Sequence, residues 1–336
     1  MQTKILTTSN EDIKAAAEII KSGGLVAFPT ETVYGLGANA LDAVAVKKVY
    51  AAKGRPSDNP MIVHIASVSD LDRLASERSA VAMSLMDHFW PGSLTLVLNK
   101  GQEVPDIVTG GSDTVAVRMP DDAVALALIT AADRPIAAPS ANLSGKPSPT
   151  KPSHVMDDLS GKIDAIIAGN DCRVGIESTV LDVTGETLVI LRPGIVTKED
   201  IEAVSGVHVE FDPALLKEEP QNDKTEDFKP KSPGMKYKHY APKARMMVIE
   251  GHRDNVKSEI ERARKQSEIT GDRVGVILFE EKAFAEAAHD FFAKLRELDE
   301  QGVDLILAGA LSDTDGVGFA VMNRMLKSSG YNIVRV

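Results

Sequence analysis

The chain has 336 residues, of which 43% are hydrophobic and 26% charged, a composition typical of a globular protein large enough for two domains. Its formal net charge of −11, from 38 basic and 49 acidic residues, argues against a broad nucleic-acid coat. The single cysteine, Cys172, excludes an internal disulfide framework and a cysteine-rich metal site. Long apolar runs and a secretory segment are missing from the sequence, so we expect a cytoplasmic protein with no membrane partner.

Residues 1–212 combine helix and strand patterns. Ser9 with Asp12 fits a capping box, and two glycines at 23 and 24 end the helix that follows. The predicted helices are near 11–22, at 42–52, at 70–89 and at 121–132. The predicted strands are at 25–28, 61–66, 94–98, 114–119, 136–138, 178–183 and 189–192. These patterns indicate an α/β domain.

Residues 213–245 differ in charge and composition from what precedes them. Basic residues outnumber acidic ones here, and the run FKPKSPGMKYKHYAPKAR contains three prolines. Proline blocks helices and interior strands, so we predict an extended interdomain linker.

In residues 246–336, predicted strands and helices alternate more regularly than in residues 1–212. Strands are predicted at 246–250, 274–279, 303–309 and 332–336, and helices at 253–269, 281–297 and 319–329. Such alternation predicts βαβ units and a second, smaller domain with a mostly parallel sheet.

Two glycine-containing motifs carry weak signals. GLGANA (35–40) matches the loose dinucleotide pattern, but polar PTETVY precedes it and no ribose-binding acid follows at the right distance. SDTDGVG (312–318) lacks the third acidic ligand and the terminal glutamate of a calcium loop. We interpret the glycines of GLGANA as allowing the backbone to pack tightly beside a site, and SDTDGVG as a loop with glycine turns. The seven histidines show no metal-ligand spacing.

The segment KGRPSDNP brings two cations close together. Lys53 and Arg55 are spaced i, i+2, which in extended backbone directs both side chains to one side. Basic residues at a helix end also complement the helix dipole, which is the simpler interpretation. Asn59 and His64 follow at once and would reach the same region if the next strand is central, although a histidine in an apolar strand is ordinarily a core residue.

Polar residues also follow other predicted strands. Ser140 and Asn142 come after the strand at 136–138, and Ser148 lies in the hydroxyl-rich loop beyond them. A turn rich in serine and asparagine is the simpler interpretation. Together with Arg118 and Arg192 at the ends of two other strands, however, these groups suit an anionic substrate such as a nucleoside triphosphate.

The motifs FPTETVYGLG, KGRPSDNP, APSAN, GIESTV and LRPG, in this order, resemble those of the YrdC-type threonylcarbamoyl-AMP synthases. SPGMKYKHYAP (232–242) resembles the linker of the long two-domain form, and DGVGFAVMNRMLKSS (315–329) resembles its C-terminal domain. The resemblance implies a YrdC-like twisted α/β sheet with a concave groove over 1–212, a linker or lid over 213–245 and a smaller Rossmann-like α/β domain over 246–336.

The resemblance implies the synthesis of threonylcarbamoyl-AMP and pyrophosphate from L-threonine, bicarbonate and ATP, with Mg²⁺ bridging the phosphates. A tRNA threonylcarbamoyl transferase machinery would then modify the adenosine next to the anticodon, so any contact of this chain with tRNA would be indirect. The implied catalytic residues are Lys53 and Arg55, and no protein metal ligands are implied. The implied ATP-binding residues are Lys53, Arg55, Asn59, Ser140, Asn142, Ser148, Arg192 and Tyr237. The implied threonine-binding residues are Thr30, His64, Arg118 and Ser178.

Alternatives remain open at this stage. The two tyrosines of the linker, Tyr237 and Tyr240, would cover the nucleotide if the linker folds over the groove, whereas a solvated basic linker would leave them exposed. An RNA-binding module without catalysis and a carbamoyl-transfer or hydrolase accessory domain are competing functions. Salt-sensitive binding would favour the first of these, and pyrophosphate release without threonine would contradict a synthase.

Overall fold

The structure is a computed structural model that describes residues 2–217, 230–232, 239–312 and 316–336. Within these ranges the strands form an eleven-stranded sheet and a four-stranded sheet. The larger sheet draws its strands from residues 4–211, and the smaller one from residues 245–335. Among the described helices, none is long and apolar enough to cross a membrane.

The first sheet and its helices follow one another along the chain. Its strands are β1 (Lys4–Leu6), β2 (Val26–Phe28), β3 (Gly35–Asn39), β4 (Ile62–His64), β5 (Leu94–Asn99), β6 (Thr114–Arg118), β7 (Ile136–Ala137), β8 (Ala165–Ile167), β9 (Thr179–Asp182), β10 (Leu188–Arg192) and β11 (Val209–Phe211). Its helices are α1 (Asn10–Lys21), α2 (Ala43–Lys53), α3 (Leu71–Leu74), α4 (Ala80–Phe89), α5 (Asp106–Thr109), α6 (Ala123–Ala132), α7 (Pro152–Leu159) and α8 (Lys198–Ser205).

The first sheet brings several strand ends to one edge. Its strand order is β1-β8-β2-β3-β7-β4-β6-β5-β9-β10-β11. Strands β4 and β6 are parallel, and their register sets His64 opposite Arg118 at their carboxyl ends. Strand β9 is antiparallel to β10 and pairs Val180 with Arg192, so the start of β9 lies beside the end of β10. Strand β5 is antiparallel to β6 and parallel to β9, which places all these ends at the same edge.

Alternation along the strands gives the sheet two apolar faces. Val26 and Phe28 of β2 pack in a cluster with helices α1 and α6, whereas Ala27 between them belongs to the cluster with α2 and α4. Helices thus cover both faces of the sheet, and polar side chains gather where its strands end.

One predicted helix is wrong. The single helix expected over 70–89 is a 3₁₀ turn at 68–70, the short α3 and then α4. The chain is extended at Ala75, which forms an isolated bridge with Lys100, and the Ser79 hydroxyl begins α4 by accepting from the Ala82 amide at 3.1 Å. A tertiary backbone pairing and a serine cap therefore divide the predicted helix.

Most of the glycine motif GLGANA forms a strand, β3, and its glycines allow the close packing predicted for them. Strand β3 pairs in antiparallel fashion with β2 and β7. A Cβ atom at Gly37 would lie 2.7 Å from Ile136 Cγ2 and 2.8 Å from Phe28 Cε1, so only glycine allows these strands to pack at this distance.

The second sheet confirms the predicted parallel arrangement. Its strands are β12 (Arg245–Glu250), β13 (Val274–Ile277), β14 (Leu305–Gly309) and β15 (Ile333–Arg335), in the order β13-β14-β12-β15, with all described pairings parallel. Its helices are α9 (Arg253–Ile269), α10 (Phe284–Gln301) and α11 (Val317–Ser329). The predicted boundaries at 212 and 246 stay predictions.

An apolar cluster joins the two sheets. Val33 and Ile176 from the first part of the chain pack in one cluster with Phe291 and Phe292 of α10. Tyr240 belongs to the same cluster, and its ring centroid lies 5.1 Å from that of Phe292. The C-terminal part of the chain is therefore packed directly behind the loops at the sheet edge.

Candidate active site

A cavity of about 60 Å³ lies at the edge where the strands of the first sheet end. Of the residues proposed from the sequence, nine line it: Thr30, Lys53, Arg55, His64, Arg118, Ser140, Asn142, Ser178 and Arg192. They come from separate loops and strand ends that the fold brings together. Tyr237 lies outside the described residues.

Lys53 is the last residue of α2, and Gly54 then turns the chain with a positive φ of 62°. The pair Lys53 and Arg55 is therefore held by a helix end and a left-handed glycine, and not by the extended backbone predicted from the spacing. The Lys53 ammonium is buried and donates to the carbonyl oxygens of Ser140 and Asn142, the latter at 2.5 Å. Burial, together with the nearby charge of Arg55, holds the pKa of Lys53 well below its usual value.

Arg55 is half-buried and is fixed by the loop that follows it. Its Nε donates to the Asn59 carbonyl oxygen at 3.2 Å, and its Nη2 donates to the Pro60 carbonyl oxygen at 2.8 Å. Burial lowers the pKa of Arg55 to about 10, so the guanidinium stays charged at neutral pH. Backbone carbonyls thus aim one permanent cation into the cavity.

The loop after β7 lines the cavity beside Lys53. The Ser140 hydroxyl donates to Asn142 Oδ1 at 2.5 Å, and Asn142 Nδ2 donates to the carbonyl oxygens of Leu143 and Lys146 at 2.8 and 2.9 Å. Ser140 also bridges to Gly35 of β3. These bonds give the loop one fixed conformation.

Arg192, at the end of β10, is bound to the residue that precedes β9. Its Nε donates to the Ser178 carbonyl oxygen at 3.0 Å, and its Nη2 donates to the Ser178 hydroxyl at 3.1 Å. The same hydroxyl lies 2.7 Å from the Thr95 hydroxyl. Burial lowers the pKa of Arg192 to about 10, which still leaves it charged at neutral pH.

Arg118, at the end of β6, forms a buried ion pair with Glu31. Its Nη2 lies 2.5 Å from Glu31 Oε1, and both side chains are at most 4% exposed. Its Nη1 donates to the Thr32 hydroxyl at 2.8 Å. Burial alone would raise the pKa of Glu31, but the charge and hydrogen bonds of Arg118 and a hydrogen bond from Ser93 outweigh it and lower that pKa. Glu31 and Thr32 lie within the PTETVY motif, but the sequence pattern predicts a role for neither.

His64 and Thr30 complete this side of the cavity. Burial, reinforced by the charge of Arg118, lowers the pKa of His64 to about 3, so its imidazole is neutral at pH 7. Its Nδ1 is buried and has no hydrogen-bond partner within the part of the chain that the structure describes. The Thr30 hydroxyl donates to the Val33 carbonyl oxygen at 2.6 Å.

Two residues that the sequence did not single out, Glu177 and His239, also line the cavity, as does Tyr240. Glu177 belongs to the GIESTV motif, and its Oε1 accepts from the Ser148 hydroxyl at 2.6 Å. Residues 239–241, here termed the cover segment, are bound to the Ser140–Lys146 side through Ala241, whose amide donates to the Gly145 carbonyl oxygen at 2.8 Å.

Asn59 and Ser148 are buried outside this lining. Asn59 contributes its carbonyl oxygen to Arg55, and Ser148 contributes its hydroxyl to Glu177. Each is therefore one residue removed from the cavity, and the direct contacts with ATP predicted for them stay predictions.

A larger groove, of about 1240 Å³, lies on the other side of the Lys53–Gly54 turn. It runs between α1 and α2 and is lined by aliphatic residues, by the carboxylates Glu18 and Asp164, and by four lysines, Lys4, Lys48, Lys53 and Lys162. The three arginines Arg55, Arg118 and Arg192 all line the smaller cavity instead. The smaller cavity is the candidate site, because its cations converge and several of its residues have perturbed pKa values. These features outweigh the larger volume of the other groove.

The described residues contain no group of three or more His, Cys, Asp or Glu that could hold a metal ion. The carboxylate lining the cavity, Glu177, is already bound through Oε1 to Ser148 and through Oε2 to Arg324, the latter at 3.2 Å. The residues that line the cavity therefore do not fit a metal ion held mainly by protein side chains.

Comparisons with known proteins cover the whole chain. Residues 18–194 match the family model described as telomere recombination, and residues 196–330 match that of the threonylcarbamoyl-AMP synthase C-terminal domain. Curated threonylcarbamoyl-AMP synthases of Pyrococcus abyssi and Bacillus subtilis are 50% and 47% identical. The alignments cover 96% and 99% of this chain and 96% and 97% of those proteins.

Solved structures agree with these matches. The structure of P. abyssi Sua5 complexed with L-threonine has a TM-score of 0.92 and 49% identity, covering 99% of this chain and 100% of that one. Escherichia coli YciO, with a TM-score of 0.52 and 27% identity, covers 58% of this chain and 96% of that one. The predicted fold class, a YrdC-like α/β domain with a further C-terminal α/β domain, is confirmed.

Proposed function

The chain belongs to the threonylcarbamoyl-AMP synthase family, and we propose that it converts L-threonine, bicarbonate and ATP into threonylcarbamoyl-AMP and pyrophosphate. By reaction class it is then a nucleotidyltransferase. Its product supplies the threonylcarbamoyl transferase machinery that modifies the adenosine next to the anticodon of tRNA. Since that machinery acts on tRNA, we propose the cytoplasm as its compartment.

One observation carries this proposal. Five cations from four segments of the chain line one cavity beside hydroxyl and amide groups: Lys53 and Arg55 after α2, Arg118, Lys146 and Arg192. This set matches a polyanion next to a small amino acid, since guanidinium groups bind phosphate and carboxylate oxygens in bidentate fashion.

The cations divide into two groups by their neighbours. Lys53 and Arg55 lie at the end of α2 beside the Ser140–Asn142 loop, and this side suits the nucleotide. Arg118 and His64 lie opposite each other on neighbouring strands, and this side suits threonine. We assign the threonine carboxylate to Arg118, and the threonine hydroxyl and amine to Thr30, Ser178 and the neutral imidazole of His64.

The reaction needs positioning and charge neutralisation more than a covalent nucleophile. The threonine amine attacks carbon dioxide and loses a proton, or attacks bicarbonate and releases water. An oxygen of the resulting carbamate then attacks the α-phosphorus of ATP as pyrophosphate leaves. Lys53, Arg55 and Arg192 would neutralise the charge that develops on the phosphate oxygens. An arriving phosphate would also favour the charged form of Lys53, whose pKa burial otherwise depresses. Ser140 and Asn142 would hold the nucleotide through hydrogen bonds.

We propose that Mg²⁺ reaches the site bound to ATP. The carboxylate that lines the cavity, Glu177, is already bound to Ser148 and Arg324, and Mg²⁺ commonly keeps waters and substrate phosphates as ligands. We therefore propose that the enzyme takes ATP as its Mg²⁺ complex and that the arginines bind the remaining phosphate oxygens.

The cover segment supports a nucleotide site that opens and closes. The cavity beneath His239 and Tyr240 measures about 60 Å³, whereas ligand pockets typically measure ~300–1,000 Å³. The cavity is therefore smaller than ATP requires, and we propose that the cover segment moves to admit it. Closing over the bound substrates would exclude water from a labile carbamate and a mixed anhydride.

The experiment that tests the proposed function measures pyrophosphate released from ATP by the full-length chain. We expect release only when both L-threonine and bicarbonate are present, together with a product that has the mass of threonylcarbamoyl-AMP. Equal release of pyrophosphate without threonine would contradict the proposal. L-serine in place of threonine is the matched control, because it lacks only the methyl group.

A further inference from the structure

One buried hydroxyl joins the loop that carries Arg55 to helix α5. Tyr50 lies in α2, three residues before Lys53, and only 5% of it is exposed. A buried tyrosine hydroxyl usually finds a hydrogen-bond partner. This one reaches two, because it donates to the Ile107 carbonyl oxygen at 2.8 Å and lies 3.1 Å from the Asn59 carbonyl oxygen. The hydroxyl therefore bridges two segments that are distant in the sequence.

Residues 55–60, here termed the Arg55 loop, set the orientation of the Arg55 guanidinium. The Asn59 carbonyl oxygen accepts from Arg55 Nε at 3.2 Å and from the Tyr50 hydroxyl, which uses both of its lone pairs. The next carbonyl oxygen, of Pro60, accepts from Arg55 Nη2 at 2.8 Å. Two consecutive carbonyls thus aim the guanidinium, and Tyr50 holds one of them.

Helix α5 supports the Arg55 loop at other points as well. Gly110 ends α5 with a positive φ of 61°, and a Cβ atom there would lie 2.8 Å from the Asp58 carbonyl oxygen. The loop backbone can therefore pack directly on the end of α5 only because this residue is glycine. Just beyond the loop, the Met61 amide donates to the Val108 carbonyl oxygen at 2.9 Å.

We propose that Tyr50 is a positioning residue of the synthase reaction, whose hydroxyl ties the Arg55 loop to α5 and so fixes how the Arg55 guanidinium meets the ATP phosphates. The inference rests on the proposed function and adds a residue to its nucleotide side. Tyr50 is not among the residues that line the cavity, so its effect is indirect. Without the hydroxyl, the carbonyl oxygens of Ile107 and Asn59 lose the donor that they share, and the loop is no longer held to α5 at this point.

A merely structural role of Tyr50 would have a different signature. If the hydroxyl only stabilised the fold, Tyr50→Phe would lower the melting temperature, but the protein that remains folded would bind ATP normally. A positioning role weakens ATP binding at temperatures where the protein is folded. The KM for threonine should stay at the wild-type value, because the pairing of β4 with β6 holds His64 and Arg118 independently of the hydroxyl.

The first experiment compares Tyr50→Phe with Tyr34→Phe. Tyr34 is the matched control, because it is fully buried outside the cavity lining and its hydroxyl donates to the Asn170 carbonyl oxygen at 3.0 Å and accepts from the Gly169 amide at 3.2 Å. We expect about a tenfold loss of ATP affinity and of kcat/KM for ATP in Tyr50→Phe, since a displacement of about 1 Å can cost about 100-fold. Tyr34→Phe should keep the wild-type values. Wild-type affinity in folded Tyr50→Phe, or an equal loss in Tyr34→Phe, would overturn the proposal.

A double-mutant cycle tests whether Tyr50 acts through Arg55. Arg55→Lys keeps a positive charge but loses the planar fork that the two carbonyls orient. Adding Tyr50→Phe to Arg55→Lys should then change the ATP affinity by less than about twofold. Losses of affinity that multiply in the double variant would show that the hydroxyl acts elsewhere, and would overturn the proposal.

A pair of glycine variants tests the same support without altering Tyr50, and replaces it if Tyr50→Phe does not fold. Gly110→Ala places a methyl group against the Asp58 carbonyl and pushes on the Arg55 loop. Gly206→Ala is the matched control, because Gly206 ends α8 with a similar φ of 66°, and among the described residues a Cβ atom there has no neighbour within 4 Å. We expect weaker ATP binding in Gly110→Ala alone. Equal ATP affinities of the two variants would contradict the inference.

Calorimetry with Mg²⁺–ATP and the full-length chain distinguishes this inference from the proposed function. If the wild type binds ATP but forms no threonylcarbamoyl-AMP, the proposed function fails, while a tenfold weaker ATP affinity of Tyr50→Phe would still support the positioning of Arg55. If the wild type forms threonylcarbamoyl-AMP and the two affinities are equal, the inference fails and the proposed function stands. A wild type that binds no ATP would refute both.

Discussion

Replacing Arg118 by lysine tests the division of the cavity into a nucleotide side and a threonine side. The substitution retains a positive charge beside Glu31, so the buried carboxylate keeps a counter-ion. It removes the fork that donates to Thr32 and Gly92 and that we assign to the threonine carboxylate. We expect the KM for threonine to rise while the KM for ATP stays close to the wild-type value.

The magnitude follows from the bonds that are lost. A hydrogen bond to a charged group contributes about 1.5–3 kcal/mol. Each 1.36 kcal/mol corresponds to about a tenfold change in an equilibrium constant, so the KM for threonine should rise about 10- to 150-fold. Complete removal of one partner of a buried ion pair costs about 3–5 kcal/mol of stability. Arg118→Lys should cost less than this, because Glu31 stays paired.

The assay is steady-state pyrophosphate release with threonine and ATP varied in turn, and circular dichroism verifies that the variant is folded. Arg173→Lys is the matched control, because Arg173 pairs with Asp121 on the surface, where an ion pair contributes about 0–1 kcal/mol. An unchanged KM for threonine together with a raised KM for ATP would refute the assignment of Arg118.

Three further predictions follow from the same contacts. Lys53→Met removes the cation that holds the carbonyls of Ser140 and Asn142, and should lower kcat for pyrophosphate release about 100-fold or more; wild-type kcat would contradict this role. The pKa of His64 is about 3 in the folded protein and 6.5 ordinarily, so the unfolded state binds more protons below pH 6.5. The stability contributed by neutral His64 is complete above pH 6.5 and is lost as pH falls towards 3, by up to about 1.4 kcal/mol per pH unit. Urea unfolding from pH 4 to 7 should give a smaller pH slope for His64→Asn, and an equal slope would contradict the burial argument. Asp158→Asn weakens a second buried link between the domains, to Arg296 at 2.8 Å, and should lower the free energy of unfolding by about 3–5 kcal/mol. The exposed neighbour Asp157→Asn should have little effect, and equal losses would argue against the link.

Part of the site could be predicted from the sequence, because polar residues lie next to the ends of buried strands. Arg118 and Arg192 end strands, and Ser178 precedes one, so the pattern of strand ends is enough to predict that these residues lie close together. Lys53 and Arg55 line the cavity as proposed, although the geometry that places them is a helix end and a left-handed glycine.

Other features could not be predicted from the sequence, because they depend on contacts between distant residues. The partner of Glu177 is Arg324, 147 positions later, and no local pattern relates the two. The break at Ala75 depends on a bridge to Lys100, and β3 is a strand because neighbouring strands pack closely against its glycines. Short elements such as β1 and β8 contain too few residues for a periodic pattern.

The most direct test of the central claim is a crystal structure of the full-length chain with L-threonine and a non-hydrolysable ATP analogue. We expect triphosphate oxygens within hydrogen-bond distance of Arg55 and Arg192, and the threonine carboxylate within that distance of Arg118. A nucleotide bound instead in the larger groove, beside Lys4, Lys48 and Lys162, would contradict this expectation.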